Sequence, residues 1–130
     1  MKQTIVAVMS IYFLVCCIGG CGNTKKELSF QDIPNYPAST PEQNMEGPGI
    51  AGMPGGELIQ LSTADPFDTV VEFYSDELRR YKPEILSHTS GLGRQTAMTI
   101  QQANKVITVT IQDHGDEDRV VITHMGVGVR

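Results

Sequence analysis

The sequence predicts an α+β fold in residues 57–130, a small antiparallel β-meander covered by one amphipathic helix in the order β-α-β-β-β-β. Apolar side chains recur at helical spacing in residues 63–81, and apolar and polar side chains alternate in residues 105–113. Short polar turns separate the strand candidates, so consecutive strands are expected to form hairpins. Because such a meander keeps one apolar face, the helix must cover that face.

Length and composition suit a single folded domain. The chain of 130 residues is 40% hydrophobic and 19% charged, with no tryptophan, so Val, Ile and Leu must build most of the core. The net charge is −5, and no run of Lys or Arg exceeds two residues. Binding to nucleic acid or to anionic headgroups needs clustered cations, so the composition argues against both classes.

Residues 57–63, ELIQLST, form the first predicted strand, and the helix follows it. Asp65 is expected to accept hydrogen bonds from the amides of the first turn, with Pro66 at the first helical position and Asp68 near the positive end of the helix dipole. Pro83 ends the helix. The predicted apolar stripe consists of Phe67, Val70, Val71, Tyr74, Leu78 and Tyr81.

Four further strands are predicted after the helix. They are residues 84–90, 96–102, 105–113 and 119–127. In the third of them, Ile107, Val109 and Ile111 share one face, while Thr108 and Thr110 share the other. The alternation therefore predicts a strand with one face in the core and one face in water.

The first residues have the layout of a secretory signal. Lys2 gives a positive start, and residues 5–18 follow without a charge. As a helix, that apolar stretch would span roughly 21 Å, short of the ~30 Å hydrocarbon core of a bilayer. Residues 1–20 are therefore predicted to be a signal peptide rather than a transmembrane anchor.

Ile18, Gly19, Gly20 and Cys21 end this segment and resemble the lipobox of bacterial lipoproteins, in which an aliphatic residue and two small residues precede an obligatory cysteine. Small residues let an extended backbone enter a protease groove, and the cysteine sulfur is the nucleophile for lipid attachment. The resemblance implies cleavage before Cys21, which then carries acyl chains such as palmitate on its sulfur and on its new amino group.

The same resemblance implies a location and a membrane partner. The chain would be a bacterial cell-envelope protein bound to the membrane through the acyl chains on Cys21. Gly22, directly after the cysteine, favours the outer membrane, facing the periplasm, over the inner membrane. Cys16 and Cys17 would leave with the signal peptide, and adjacent cysteines in an apolar run do not suit a zinc site.

Residues 21–56 are predicted to be the acylated N-terminus and a flexible tether, because they are rich in Gly and Pro and show no sustained apolar periodicity. The alternative is that Ile33, Pro34, Tyr36 and Pro37 lie as an extended arm across the domain, since Tyr36 has a large apolar face.

The mature chain also resembles a loose group of uncharacterised small bacterial lipoproteins with a similar order of strand, helix and terminal strands. The matching residues are Tyr36-Pro37, Thr63, Asp65-Pro66, Val70-Val71, Phe73-Tyr74 and Glu77-Leu78. These motifs are structural, so the resemblance implies the fold and no activity.

The densest polar cluster is the turn DHGDED between the last two predicted strands. Its carboxylates Asp113, Asp116 and Asp118 are weak candidates for a metal site. A calcium loop places its glycine later than this turn does, and Arg119 stands where another ligand would be needed. A solvated hairpin turn is therefore the preferred interpretation.

The histidines and serines predict no catalytic arrangement. His88, His114 and His124 lie on three different elements, and the sequence has no Gly-x-Ser-x-Gly elbow. His124 shares a strand face with Val120 and Ile122, so we expect a partly buried, hydrogen-bonded histidine rather than a metal ligand.

Two functional hypotheses follow. The preferred one is a non-catalytic structural or protein-interaction module, without enzyme activity or cofactor, whose partner is another envelope protein or the cell wall. Phe73, off the apolar stripe, and Met125 are candidate contacts for that partner. The alternative is a small ligand-binding, metal-binding or hydrolytic periplasmic domain that uses the acidic turn at residues 113–118. A small meander under one helix is expected to lack room for the ~300 Å³ or more of a usual ligand pocket, which favours the first hypothesis.

Overall fold

A computed structural model describes residues 27–47, 56–115 and 117–129. These residues form one antiparallel sheet of six strands with an α-helix packed on it, which confirms the predicted α+β meander under one helix. The elements are β1 (Thr40–Gly47), β2 (Gly56–Thr63), α1 (Phe67–Leu78), β3 (Glu84–Ser90), β4 (Gly93–Gln101), β5 (Lys105–His114) and β6 (Arg119–Gly128). The strand order across the sheet is β1-β2-β6-β5-β4-β3.

The core lies between α1 and one face of the sheet. On β5 the predicted alternation holds, because Ile107, Val109 and Ile111 are fully buried while the residues between them are only half-buried. From the helix, Val70 and Tyr74 enter the same core. The predicted stripe of α1 is also confirmed, with Phe67, Val70, Tyr74 and Leu78 buried and Val71 and Tyr81 packed at its margin.

The folded domain begins well before residue 57, so the predicted boundary between tether and domain is wrong. Residues 27–39 form an arm across the domain, and the next residues form β1, which pairs with β2. The arm contributes four buried apolar side chains, namely Leu28, Phe30, Ile33 and Tyr36. Their irregular spacing among prolines gives no helical or strand period, so a search for periodicity overlooks them. The alternative of an arm that includes Tyr36 is the arrangement observed.

The arm lies on the same face of the sheet as α1. Phe30 packs against Gly126 of β6 so closely that a Cβ atom at that glycine would lie 2.8 Å from Cδ2 of the ring. Farther along, Tyr36 makes an edge-to-face contact with Phe73 of the helix, with ring centroids 5.2 Å apart. Phe73 is therefore a partly buried residue under the arm, and its predicted role as a surface contact is wrong.

The start of α1 also differs from the prediction. The helix begins at Phe67, and the carbonyl oxygen of Pro66 accepts the first helical hydrogen bonds, from the amides of Thr69 and Val70 at 3.1 and 3.2 Å. Asp65 does not cap the helix, because its carboxylate accepts a hydrogen bond of 2.5 Å from the hydroxyl of Tyr36. The carboxylate raises the pKa of that hydroxyl and ties the arm to the domain.

The predicted signal peptide, the lipobox residues Ile18, Gly19, Gly20 and Cys21, and the turn residue Asp116 lie outside the described residues. None of the helices in the described ranges is long and apolar enough to cross a membrane.

Candidate functional site

The predicted acidic turn lies between β5 and β6, where arginines meet its carboxylates. Nη2 of Arg94 lies 3.5 Å from Oδ2 of Asp113, and Nε of Arg119 lies 2.5 Å from Oε2 of Glu117. Arg94 also reaches Asp68 at 3.1 Å, so it joins the turn to the first turn of α1. Within residues 27–47, 56–115 and 117–129, no three His, Cys, Asp or Glu side chains converge as metal ligands. Of the predicted metal candidates, Asp113 is thus paired with an arginine, and Asp116 lies outside the described residues.

A buried polar pair lies at the centre of the core. Nε2 of His124 is 2.9 Å from the hydroxyl of Tyr74, and both side chains have no more than 1% of their surface exposed. The prediction of a hydrogen-bonded histidine at position 124 is confirmed, although the side chain is fully rather than partly buried. The rings of Tyr36, Phe73, Tyr74 and His124 continue as a series of edge-to-face contacts with centroid distances of 5.0–5.4 Å. The series links the arm to the middle of β6.

Burial sets the charge state of this pair. Removal from water lowers the pKa of His124 to about 4 and raises the pKa of Tyr74 above its usual value. Both groups are therefore neutral at pH 7 and share one neutral hydrogen bond. A buried imidazole in this state, held by a tyrosine from the facing helix, supports the packing of α1 on the sheet.

We expect the domain to lose stability in mild acid because of His124. In the unfolded chain the imidazole takes up its proton near pH 6.5, whereas in the folded chain it does so only near pH 4. Above pH 6.5, protonation of His124 should therefore not change the free energy of unfolding. Between pH 6.5 and pH 4 it should lower the free energy of unfolding by about 3 kcal/mol. Urea titrations of the fragment 22–130, without the predicted acylated cysteine, measure the change across this range.

Two variants separate this effect from general acid sensitivity. His124→Leu should lose the decline assigned to that histidine, whereas His88→Leu, at an exposed position on β3, should keep it. An identical pH profile for wild type and His124→Leu would contradict the assignment.

A cleft opens beyond the C-terminal end of α1. Its volume is about 460 Å³, so the expectation that the domain has no room for such a pocket is wrong. The reason is the difference in length between the two layers. A helix of 12 residues is about 18 Å long, whereas a strand of ten residues such as β5 spans about 34 Å. The helix therefore leaves one end of the sheet uncovered.

Three segments line the cleft. They are the arm, the 3-10 turn after α1 and the end of β4, which contribute Glu27, Arg80, Tyr81, Lys82, Ile100, Gln101, Gln102 and Ala103. The guanidinium of Arg80 stacks over the ring of Tyr81 at 4.8 Å from its centroid. Lys82 adopts a left-handed backbone conformation, with φ of 52°, as the chain turns from the helix layer toward β3. The result is a concave surface that combines apolar side chains with two cations, Arg80 and Lys82, and one carboxylate, that of Glu27.

One side chain at the edge of the cleft, that of Gln102, has a buried atom with an unmet hydrogen-bonding requirement. Oε1 of Gln102 is buried, and no donor among the described residues reaches it. A buried carbonyl oxygen without a donor costs roughly 1–3 kcal/mol, so in folded proteins such an atom usually receives a hydrogen bond from protein, water or a ligand. The sequence could not single out Gln102, because nothing in the residues around it distinguishes it from the neighbouring Gln101.

Comparison with known proteins gives one family. A family model described as START domain-like matches residues 41–119. The matched range begins in β1 and ends at the first residue of β6, so it contains α1 and the whole of β2 to β5. Searches of curated proteins and of solved structures gave no match.

Proposed function

Because the chain belongs to the START domain-like family, we propose that it is a non-catalytic ligand-binding domain, held at a bacterial cell envelope by acyl chains on Cys21. Family membership favours ligand binding over a purely structural role. The cleft at the end of α1 is the site that supports this role, in place of the acidic turn that the sequence suggested. The lipobox resemblance supports the anchor and the location, with the outer membrane facing the periplasm preferred.

The unpartnered oxygen of Gln102 is the observation that carries the proposal. Turned toward the cleft, this oxygen would accept a hydrogen bond from an N–H or O–H group of a ligand. The two cations Arg80 and Lys82 outnumber the single carboxylate of Glu27 and favour an anionic group. Ile100 and the ring of Tyr81 offer apolar contact. At about 460 Å³ the cleft lies at the small end of the usual range for ligand sites, roughly 300–1,000 Å³. The ligand class that fits is a small amphipathic anion that carries a hydrogen-bond donor.

Arg80→Gln is expected to weaken the binding of an amphipathic anion to the cleft. The probe is 1-anilinonaphthalene-8-sulfonate, which has an aromatic body, a sulfonate and one N–H group. Loss of an exposed charge-assisted contact worth about 1 kcal/mol should raise its Kd about fivefold. A fluorescence titration of the fragment 22–130 measures the change in Kd.

The chain offers a matched control for this variant. Arg94 also stacks on an aromatic ring, with its guanidinium 4.5 Å from the centroid of Phe67, but it lies at the other end of α1. Arg94→Gln should therefore leave the Kd unchanged, and Gln102→Leu should raise it by removing the acceptor. Equal Kd values for wild type, Arg80→Gln and Gln102→Leu would show that the probe does not bind in the cleft.

Protein interaction, the role that the sequence favoured, keeps support from a different part of the molecule. β3 is an edge strand on which every residue is exposed, including Ile85 and Leu86. This strand lies at one side of the sheet, where its outer backbone groups can pair with another chain.

A further inference from the structure

The two edges of the sheet are protected to different degrees. Exposed edge strands commonly carry proline, lysine or a bulge, which prevent pairing with another chain. β1 has such protection, because it contains Pro41 and its register with β2 shifts between Pro41 and Gln43. β3 has none within the strand, since its register with β4 runs without a shift from Glu84 to Ser90, and it contains neither lysine nor proline.

β3 also exposes apolar side chains on both faces of the sheet. Ile85 is opposite the buried Met98 and therefore points to the face that carries α1, yet 49% of its surface is exposed. Leu86 points to the other face and is 65% exposed. In the described sheet, the outer side of this strand has no neighbouring strand to pair its N–H and C=O groups. The strand thus combines free backbone groups with apolar surface above and below them.

We propose that β3 pairs antiparallel with β3 of a second copy of this chain, about a two-fold axis at Leu86. This interaction goes beyond the proposed ligand binding and joins two six-stranded sheets into one continuous sheet. In this register Leu86 lies opposite its own copy, Ile85 lies opposite Ser87, and Glu84 lies opposite His88. The strand is therefore complementary to itself in both apolar contact and hydrogen bonding.

Apolar contact and hydrogen bonds to the Glu84 carboxylate favour this register over its neighbour. Glu84, Leu86 and His88 point to the same face, so each carboxylate would meet an imidazole of the other copy beside the paired leucines. With the axis at Ser87 instead, Glu84 would lie opposite Ser90, and Leu86 would lie opposite His88. That arrangement loses both the apolar pair and the acid–imidazole pairs.

The symmetry also places both arms on one side of the dimer. A two-fold axis that relates antiparallel edge strands runs normal to the sheet, so each face continues into the same face of the second copy. α1 and the arm share one face, as the contacts of Phe30 with Gly126 and of Tyr36 with Phe73 show. Both N-terminal segments therefore leave from the same side, which allows two copies to be attached to one membrane.

Cysteine crosslinking of the full chain in bacterial membranes tests the pairing. Leu86→Cys should give a disulfide-linked dimer on mild oxidation, because directly opposed Cβ atoms lie about 4.5–5.5 Å apart. Leu92→Cys is the matched control, since Leu92 is an 84% exposed leucine in the turn after β3 and lies far from its symmetry mate. Wild type, with its own three cysteines, gives the baseline.

The register and the interface are tested separately. Co-expressed Glu84→Cys and His88→Cys chains should form a mixed dimer, and adding Leu86→Lys to both should abolish it by placing two ammonium groups face to face. A stronger crosslink from Ser87→Cys than from Leu86→Cys would overturn the register. A Leu86→Cys dimer no more abundant than the wild-type or Leu92→Cys dimer would overturn the pairing itself.

Discussion

Cys21→Ala is expected to leave the protein as an unprocessed precursor that takes up no labelled palmitate. The predicted anchor depends on one sulfur atom, because without that nucleophile no diacylglycerol can be attached and the signal peptide is retained. Each buried methylene of an acyl chain contributes about 0.8 kcal/mol, so two or three chains hold a protein on a membrane almost permanently. Loss of Cys21 should thus change both the chemical form and the attachment of the whole chain.

Metabolic labelling followed by gel electrophoresis measures both effects. The chain provides its own control, since Cys17→Ala removes a thiol four residues away and should leave labelling and processing unchanged. Palmitate incorporation by Cys21→Ala at the wild-type level would refute the lipoprotein interpretation. Loss of label in Cys17→Ala with retention in Cys21→Ala would show that Cys17, rather than Cys21, is the acylated residue.

Tyr74→Ala is expected to destabilise the domain more than any other single substitution on α1. The ring is fully buried and makes edge-to-face contacts with both Phe73 and His124. Truncation of a buried aromatic side chain to alanine costs about 3–5 kcal/mol, and the loss of the hydroxyl leaves His124 without its partner at a further ~1–3 kcal/mol. Because small domains have marginal stability, this variant should be largely unfolded at 37 °C.

Tyr74→Phe isolates the contribution of the hydrogen bond. It keeps the ring and removes the hydroxyl, so we expect a cost of about 1–3 kcal/mol in the free energy of unfolding. The double variant Tyr74→Phe with His124→Leu should be closer to wild type than the sum of the two single changes predicts, since no polar group is then left unpaired. Urea denaturation of the mature chain measures these values.

Tyr81→Phe provides the comparison, since Tyr81 is only partly buried at the margin of the core and its loss of a hydroxyl should have little effect. A Tyr74→Phe variant as stable as Tyr81→Phe would show that the hydrogen bond to His124 contributes nothing.

The parts of the fold that sequence reasoning predicted are those that repeat a local pattern. The alternation along β5 and the stripe of α1 each place several apolar residues on one face, so one misplaced residue does not hide the element. The hydrogen bond between Tyr74 and His124 could also have been predicted from the sequence. Each places a polar group in the middle of an apolar face, and buried polar groups require partners.

The parts that were missed depend on contacts between distant segments. The arm is folded because Phe30 meets Gly126 and Tyr36 meets Asp65, and neither contact leaves a period in the sequence. Asp65 has the residue type and position of a helix cap, yet its carboxylate accepts a hydrogen bond from the hydroxyl of Tyr36 instead. The cleft arises from the unequal lengths of helix and strands, which becomes evident only when the two layers are placed together.

The folded arm sharply shortens the reach of the domain. If Cys21 is the attachment point, six peptide units join it to Glu27, and even fully extended they span only about 21 Å. A free tether over residues 21–56 would have allowed about 125 Å. A domain anchored at Cys21 would therefore stay within a thin layer above the lipid. Any ligand or second copy would have to reach the domain within that layer.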